Sequence, residues 1–240
     1  MNKIFKKSRL LALIVAMIIV FTNGSTAFAM GVSGQPAKVK FSVERRVIGQ
    51  PDIIPMKELS IEQGEPTSVV LDRVLKDSGI KYKSAGDIIN SFYLSKIKVD
   101  GQWLGEFDHG FLSGWMYSVN GSKPGVGMSG YNLHDGDVVR IHYTAKEFGQ
   151  DVDCVDKIFE LREKINQGKN LKEENYTKET FENLKSSIAE AEANMLSNEE
   201  IGQGMSTTLG KGDADLKALS NKMEQHIKSI DDAISALKSK

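Results

Sequence analysis

The chain has 240 residues, 40% of them hydrophobic and 26% charged, with a formal net charge of −1. That length supports one or two domains with buried cores, and the absence of a basic stripe argues against nucleic acid as a partner. The single cysteine, Cys154, excludes an internal disulfide and leaves a reduced thiol or a dimer joined through it.

Residues 1–29 read as a secretory signal peptide. Lys3, Lys6, Lys7 and Arg9 form a charged start, Leu10 to Phe21 is a run of twelve mainly apolar residues, and Ala27-Phe28-Ala29 is a small-x-small cleavage site. The apolar run is shorter than the ~20 residues of a spanning helix, so no membrane span is expected in the mature chain from Met30. The closing Ala236-Leu237-Lys238-Ser239-Lys240 offers neither a hydrophobic tail nor a sorting motif. The expected location is secreted or extracellular, with cell-wall association through contacts rather than a covalent anchor. After the signal peptide the charge is carried beyond residue 150, where 18 acidic residues face 13 basic ones; Met30 to Gln150 balances at 14 against 14.

Gly31 to Ala37 is a flexible lead-in. From Lys38 to Ile48, Val39, Phe41 and Val43 alternate with Lys40, Ser42 and Glu44, a strand. Gln50-Pro51-Asp52 and Pro55 break it, and Leu59 and Ile61 make a short second strand. Gln63-Gly64-Glu65-Pro66 is a turn, Thr67 a helix cap, and Val70, Leu71, Val74 and Leu75 one helical face, stopped at Gly79. Ile88 to Val99 predicts one or two strands ending in the Asp100-Gly101 turn. Gln102 to Ser113, with Trp103, Phe107 and Phe111, reads as an aromatic, glycine-punctuated loop.

Next comes the densest pattern in the chain. In G-W-M-Y-S-V-N-G, Trp115, Tyr117 and Val119 alternate with Met116, Ser118 and Asn120, and Asn120-Gly121 is a tight-turn signal. A glycine-rich loop, Gly125 to Tyr131, leads to a second turn at Asp135-Gly136. Val138, Arg140, His142 and Thr144 then alternate with Val139, Ile141 and Tyr143, a half-buried strand whose Arg140–His142 face is expected to meet solvent.

The W-M-Y-S-V-N-G run, the glycine-rich loop, Y-x-L-x-D-G-D and the closing strand resemble the transcobalamin-like C-terminal domain. That is the small β-domain of the vitamin B12 carriers, which also occurs alone in secreted proteins of Gram-positive bacteria. The resemblance covers about Lys38 to Thr144. It implies a β-grasp-like fold, a sheet on one helix, in agreement with the order of predicted elements. It also implies cobalamin or another corrinoid as one candidate ligand, although the carriers close the site with a large helical barrel that this chain lacks.

Residues 145–153 are expected to be a linker. Beyond them Val155, Ile158, Leu161 and Ile165 predict a helix to about Gln167, stopped by Gly168; Thr177 caps a second carrying Phe181, Leu184, Ile188, Ala191 and Met195. A third runs from about Asp213 to Leu237, with Leu216, Leu219, Met223, Ile227, Ile230, Ile234 and Leu237. Three amphipathic helices argue for an antiparallel three-helix bundle over 154–240. The stretch N-Y-T-K-E-T-F-E-N-L resembles the FIVAR module of bacterial surface proteins, which implies a spacer or adhesive role. Ser197 to Asp213, with four glycines, departs from it and is expected to be a mobile loop. The fold class is therefore α+β, a β-grasp-like domain followed by the bundle.

No H-E-x-x-H, paired cysteine, G-x-S-x-G or P-loop is present, so no enzyme is expected. Asp135-Gly136-Asp137 is too short for a Ca²⁺ loop, and His109, His134 and His142 lack metal-ligand spacing. Aromatic faces beside glycine-rich loops suit flat ligands, sugars or protein partners. The candidate binding residues are Trp103, Phe107, Trp115, Tyr117, Asn120, Gly125, Val126, Gly127 and Tyr131. The partners expected are a corrinoid, a cell-wall glycan or an extracellular protein.

Overall fold

In the computed structural model the described residues are 35–146, 149–206 and 213–240. The expected signal peptide and most of the lead-in lie outside them. The fold is mixed α and β. Strands β1 (Pro36–Glu44) and β2 (Ile54–Glu62) pair antiparallel. β1 also runs parallel to β7 (Val138–Thr144), which pairs antiparallel with β6 (Gly114–Val119), so the sheet order is β2-β1-β7-β6. A second, antiparallel sheet holds β3 (Tyr82–Ala85), β4 (Tyr93–Val99) and β5 (Gln102–Gly105) in that order.

Several elements differ from expectation. The first strand ends at Glu44, and Arg46–Ile48 forms one helical turn instead. β2 starts at Ile54 and includes Pro55, which an edge strand tolerates because its outer N–H needs no partner. Gln102–Gly105 is not a loop: Asp100 and Gly101, at φ 51° and 81°, make a tight turn that folds it back onto β4. Thr67 does not cap the first helix, α1 (Thr67–Asp77). Pro66 occupies that position, and the Thr67 hydroxyl donates to the Tyr131 carbonyl at 3.1 Å.

The larger sheet has two unlike faces. One carries Val39, Phe41, Val43, Val139, Ile141, Tyr143, Trp115 and Tyr117, all buried in the core that also takes Val70, Leu71, Val74 and Leu75 of α1. Each fully buried large side chain contributes about 1.5–3 kcal/mol. Ser42, Glu44, Ser118, Arg140 and His142 line the other face. Its polarity reads as solvent exposure, yet α2 (Gln150–Lys169) covers it. Arg140 holds Glu44 through Nη2 at 2.6 Å and Asp156 of α2 through Nη1 at 2.5 Å and Nη2 at 2.6 Å. The expectation that His142 meets solvent is therefore corrected: it is 2% exposed.

The expected 145–153 linker is corrected: α2 already begins at Gln150, and residues 147 and 148 lie outside the described residues. Ala145 is buried, and the Asp151 carboxylate accepts the Thr144 hydroxyl at 2.5 Å and the Ala145 N–H at 2.7 Å. Gly168 is not the helix stop. It lies inside α2, where a Cβ would come within 2.7 Å of the Ile188 side chain, so it serves close helix approach.

α3 (Lys178–Ala193) and α5 (Asp213–Ser235) both pack on α2. Between them, Ser197 to Asp213 is not simply a loop. Asn198–Ser206 forms α4, with Ile201 fully buried, docked on the Arg46–Ile48 turn; residues 207–212 lie outside the described residues. Among the described residues, no helix is long and apolar enough to cross a membrane.

Candidate functional site

The two sheets part where β4 runs beside β6 without pairing to it. The opening is a groove of about 250 Å³, walled by Phe92 to Leu94, by Trp115 to Tyr117, and by the loop Lys123 to Met128. β6 is an edge strand of its sheet, so its outer backbone groups face this opening.

The groove walls are held by hydrogen bonds rather than by apolar contact alone. Trp115 Nε1–H donates to the Leu104 carbonyl at 2.9 Å, and its ring meets Tyr143 edge-on at 5.3 Å. The Tyr117 hydroxyl donates to the Val126 carbonyl at 2.7 Å and so pins the loop, while Tyr131 packs edge-on behind Tyr117 at 6.4 Å. Burial, assisted by Tyr131, pushes the Tyr117 phenol up to about 12. Tyr93, at the mouth, donates to Glu106; burial and that bond hold it at about 12 as well. Both phenols stay neutral donors at ordinary pH.

Of the sequence candidates, Trp115, Tyr117, Val126 and Gly127 line the groove, and Tyr131 supports it from behind. The others lie elsewhere. Trp103 sits on β5 opposite Lys98, half-buried, with the Lys83 and Lys98 ammonium groups 4.7 and 5.9 Å from its ring centre. Phe107 projects 63% exposed from a backbone at φ 65° and leans on Phe111, 6.1 Å away. Asn120 locks its turn: its amide donates to Asp137 at 2.8 Å and accepts the Val138 N–H at 2.9 Å. Gly125 faces open space. Met116, Tyr93 and Lys123 were not singled out. Met116 stands within the strand motif, and the Phe92-Tyr93-Leu94 run carried an aromatic signal of its own.

Nothing in the groove juxtaposes a nucleophile with a base, and among the described residues no group of three His, Cys, Asp or Glu is placed to hold a metal ion. The groove can grip a flat or apolar group and offer backbone hydrogen bonds.

Residues 68–145 match the model of a family described as a domain of unknown function, DUF4430, which spans less than half of the chain. No curated protein matches. Among solved structures, the chain is similar to haptocorrin in complex with Cbi, at 12% identity and a TM-score of 0.35, over 46% of this chain and 25% of that one. It is also similar to a candidate metal binding protein from Ruminococcus gnavus ATCC 29149, at 12% identity and a TM-score of 0.28, over 46% of this chain and 97% of that one. The chain thus spans only a quarter of the haptocorrin chain, and at these scores neither likeness carries an argument about function.

Proposed function

We propose that this is an exported, non-enzymatic binding protein whose recognition surface is the groove between β4 and β6, with the helices as a spacer or adhesion module. The observation that carries the reading is the groove itself. Two aromatic walls are fixed in place by hydrogen bonds, and four of the nine residues expected to bind a ligand converge there. The strand order, with β1 and β7 parallel at the centre, supports the β-grasp-like reading; the packing of α3 and α5 on α2 supports the helical spacer.

A corrinoid is the second reading. Trp115, Met116 and Tyr117, which belong to the motif that resembles the transcobalamin-like domain, form one wall of the groove. Small-molecule pockets usually measure roughly 300–1,000 Å³, so this groove would seat one edge of such a ligand, with weak affinity.

Titration with cobalamin tests the pair, following tryptophan fluorescence with a filter-effect control. Val126→Arg is the matched variant, because Val126 lines the groove and is 51% exposed. Saturable quenching that Val126→Arg abolishes supports the corrinoid. No saturation, together with Val126-dependent co-sedimentation with cell-wall fractions, supports a wall glycan or protein. Indifference of both assays to Val126→Arg would sink the groove as the site.

A further inference from the structure

His142 is buried on β7 with no hydrogen-bond partner for either ring nitrogen. A neutral imidazole there already leaves one donor and one acceptor unmet; a second N–H and a charge would be far costlier. Among the described residues, only the Arg140 backbone nearby and the already paired Glu44 favour the imidazolium. Across the sheet lie Glu44 on β1 and Met116 on β6. Glu44 is already taken by Arg140, by the Ser42 hydroxyl at 2.6 Å and by Arg46 at 3.8 Å, a further cation that lines the same cavity as His142. Arg140, on the same strand, is a like charge. On the α2 side, Asp151 is occupied by Thr144, Ala145 and Val152, and Asp156 by Arg140.

The last side is closed by the start of α2 and the β6–β7 connection. A Cβ on Gly149, at φ 68°, would lie 3.7 Å from His142 Nε2 and 3.4 Å from Lys123 Nζ. The positive end of the α2 dipole and the Lys123 ammonium both oppose a cation at this point. The cavity beside the ring is about 10 Å³, room for one water at most. Lys123 also walls the groove and reaches Asp153 of α2 at 3.7 Å.

We infer that His142 is an acid-sensitive latch: on taking up a proton it drives the first turns of α2 off the sheet, and the Lys123 wall of the groove moves with them. The groove part rests on the proposed function; the latch does not. Burial, then Arg140 and Lys123, against the opposing pull of Glu44, hold the ring down to about 4 in the closed form. An opened ring titrates near its ordinary value of about 6.5. The closed form therefore keeps its full advantage above ~6.5 and loses it as pH falls toward 4, because only the open form binds the proton in that window.

Cys154, 1% exposed in the second turn of α2, reports the opening. We would measure its reaction with 4,4′-dithiodipyridine on the full chain, divided at each pH by the rate of cysteine itself. The expected result is a corrected rate that rises about tenfold per pH unit and about a hundredfold from pH 6.5 to 4, one proton's linkage. In His142→Gln the rise due to the imidazole should be lost, leaving only the smaller slope of the carboxylates, with unchanged far-ultraviolet circular dichroism in both proteins. Subtracting the variant removes Glu44 and Asp151, which titrate at the same interface. A flat wild-type profile, or an equal slope in the variant, would overturn the latch. If His142→Gln fails to fold, the His142 imidazole resonances of the wild type decide: a midpoint left near 6.5 overturns the latch, a depressed one supports it. Cobalamin titration at pH 7 and 5 is a separate arm. Loss of binding there leaves the thiol kinetics standing, so failure of the groove and failure of the latch are told apart.

Discussion

The two faces of the β2-β1-β7-β6 sheet are both buried, by different means. The apolar face excludes water with aliphatic and aromatic side chains and needs no particular partner at any one position. The polar face is closed by charges that each depend on a named group: Arg140 on Glu44 and Asp156, Asp151 on Thr144 and Ala145. Burial drives the Arg140 guanidinium toward losing its proton, but its two carboxylates outweigh that and raise it. Arg140 in turn, with the Ser42 hydroxyl and Arg46, keeps Glu44 ionised against its own burial. Hydrophobic faces tolerate substitution by degrees, whereas ion networks fail when one member is removed.

The largest expected effect breaks the polar face. Arg140→Leu leaves Glu44, whose side chain is 3% exposed, with only the more distant Arg46 at 3.8 Å. Removing one partner of a buried pair costs about 3–5 kcal/mol. Urea denaturation should show that loss. The double variant Arg140→Leu with Glu44→Leu should recover part of it, since no charge is then left buried alone. A single variant within 1 kcal/mol of wild type, on the order of a surface pair, would show that α2 does not seal this face.

The apolar side was the legible one, and the reason is local. Val39, Phe41 and Val43, like Val139, Ile141 and Tyr143, alternate within single strands, and Asn120-Gly121 and Asp135-Gly136 announce their turns within two residues. The Arg140–Glu44 bond instead spans 96 residues, so nothing near His142 in the sequence signals that a helix will cover it. β3 and β5 were missed because four-residue strands show little alternation. α4 was missed for its glycines, although Ser197 and Glu200 form a capping box that could have been read. Glu200 accepts the Ser197 N–H at 2.8 Å, and Ser197 Oγ accepts the Glu200 N–H at 3.2 Å. Gly202 has its own reason: a Cβ there would meet the Ile48 carbonyl at 2.7 Å. As for the site, the strand motif was legible, whereas Phe92 to Leu94 join it only through tertiary packing.

A middle-sized effect sharpens the comparison from the apolar side. Trp115→Phe drops the Nε1–H bond to Leu104 and vacates the space of the indole's second ring, together about 1–3 kcal/mol. Because that bond also fixes a groove wall, both thermal stability and ligand affinity should fall. A loss of stability with affinity unchanged would remove Trp115 from the recognition surface.

The smallest effect separates the chain's two tryptophans. Trp103 lies away from the groove, half-buried, under two lysine ammonium groups at 4.7 and 5.9 Å. Such contacts at accessible positions contribute about 0.5–1 kcal/mol, and the lost ring packing adds to that. Trp103→Ala should therefore lower stability by about 1–2 kcal/mol while leaving groove binding as it was. Thermal melts and the fluorescence titration, the latter now reporting Trp115 alone, read the two quantities separately. Binding lost together with the Trp103 ring would move the recognition surface onto the outer face of the β3-β4-β5 sheet, and the fixed aromatic walls between β4 and β6 would then belong to the core.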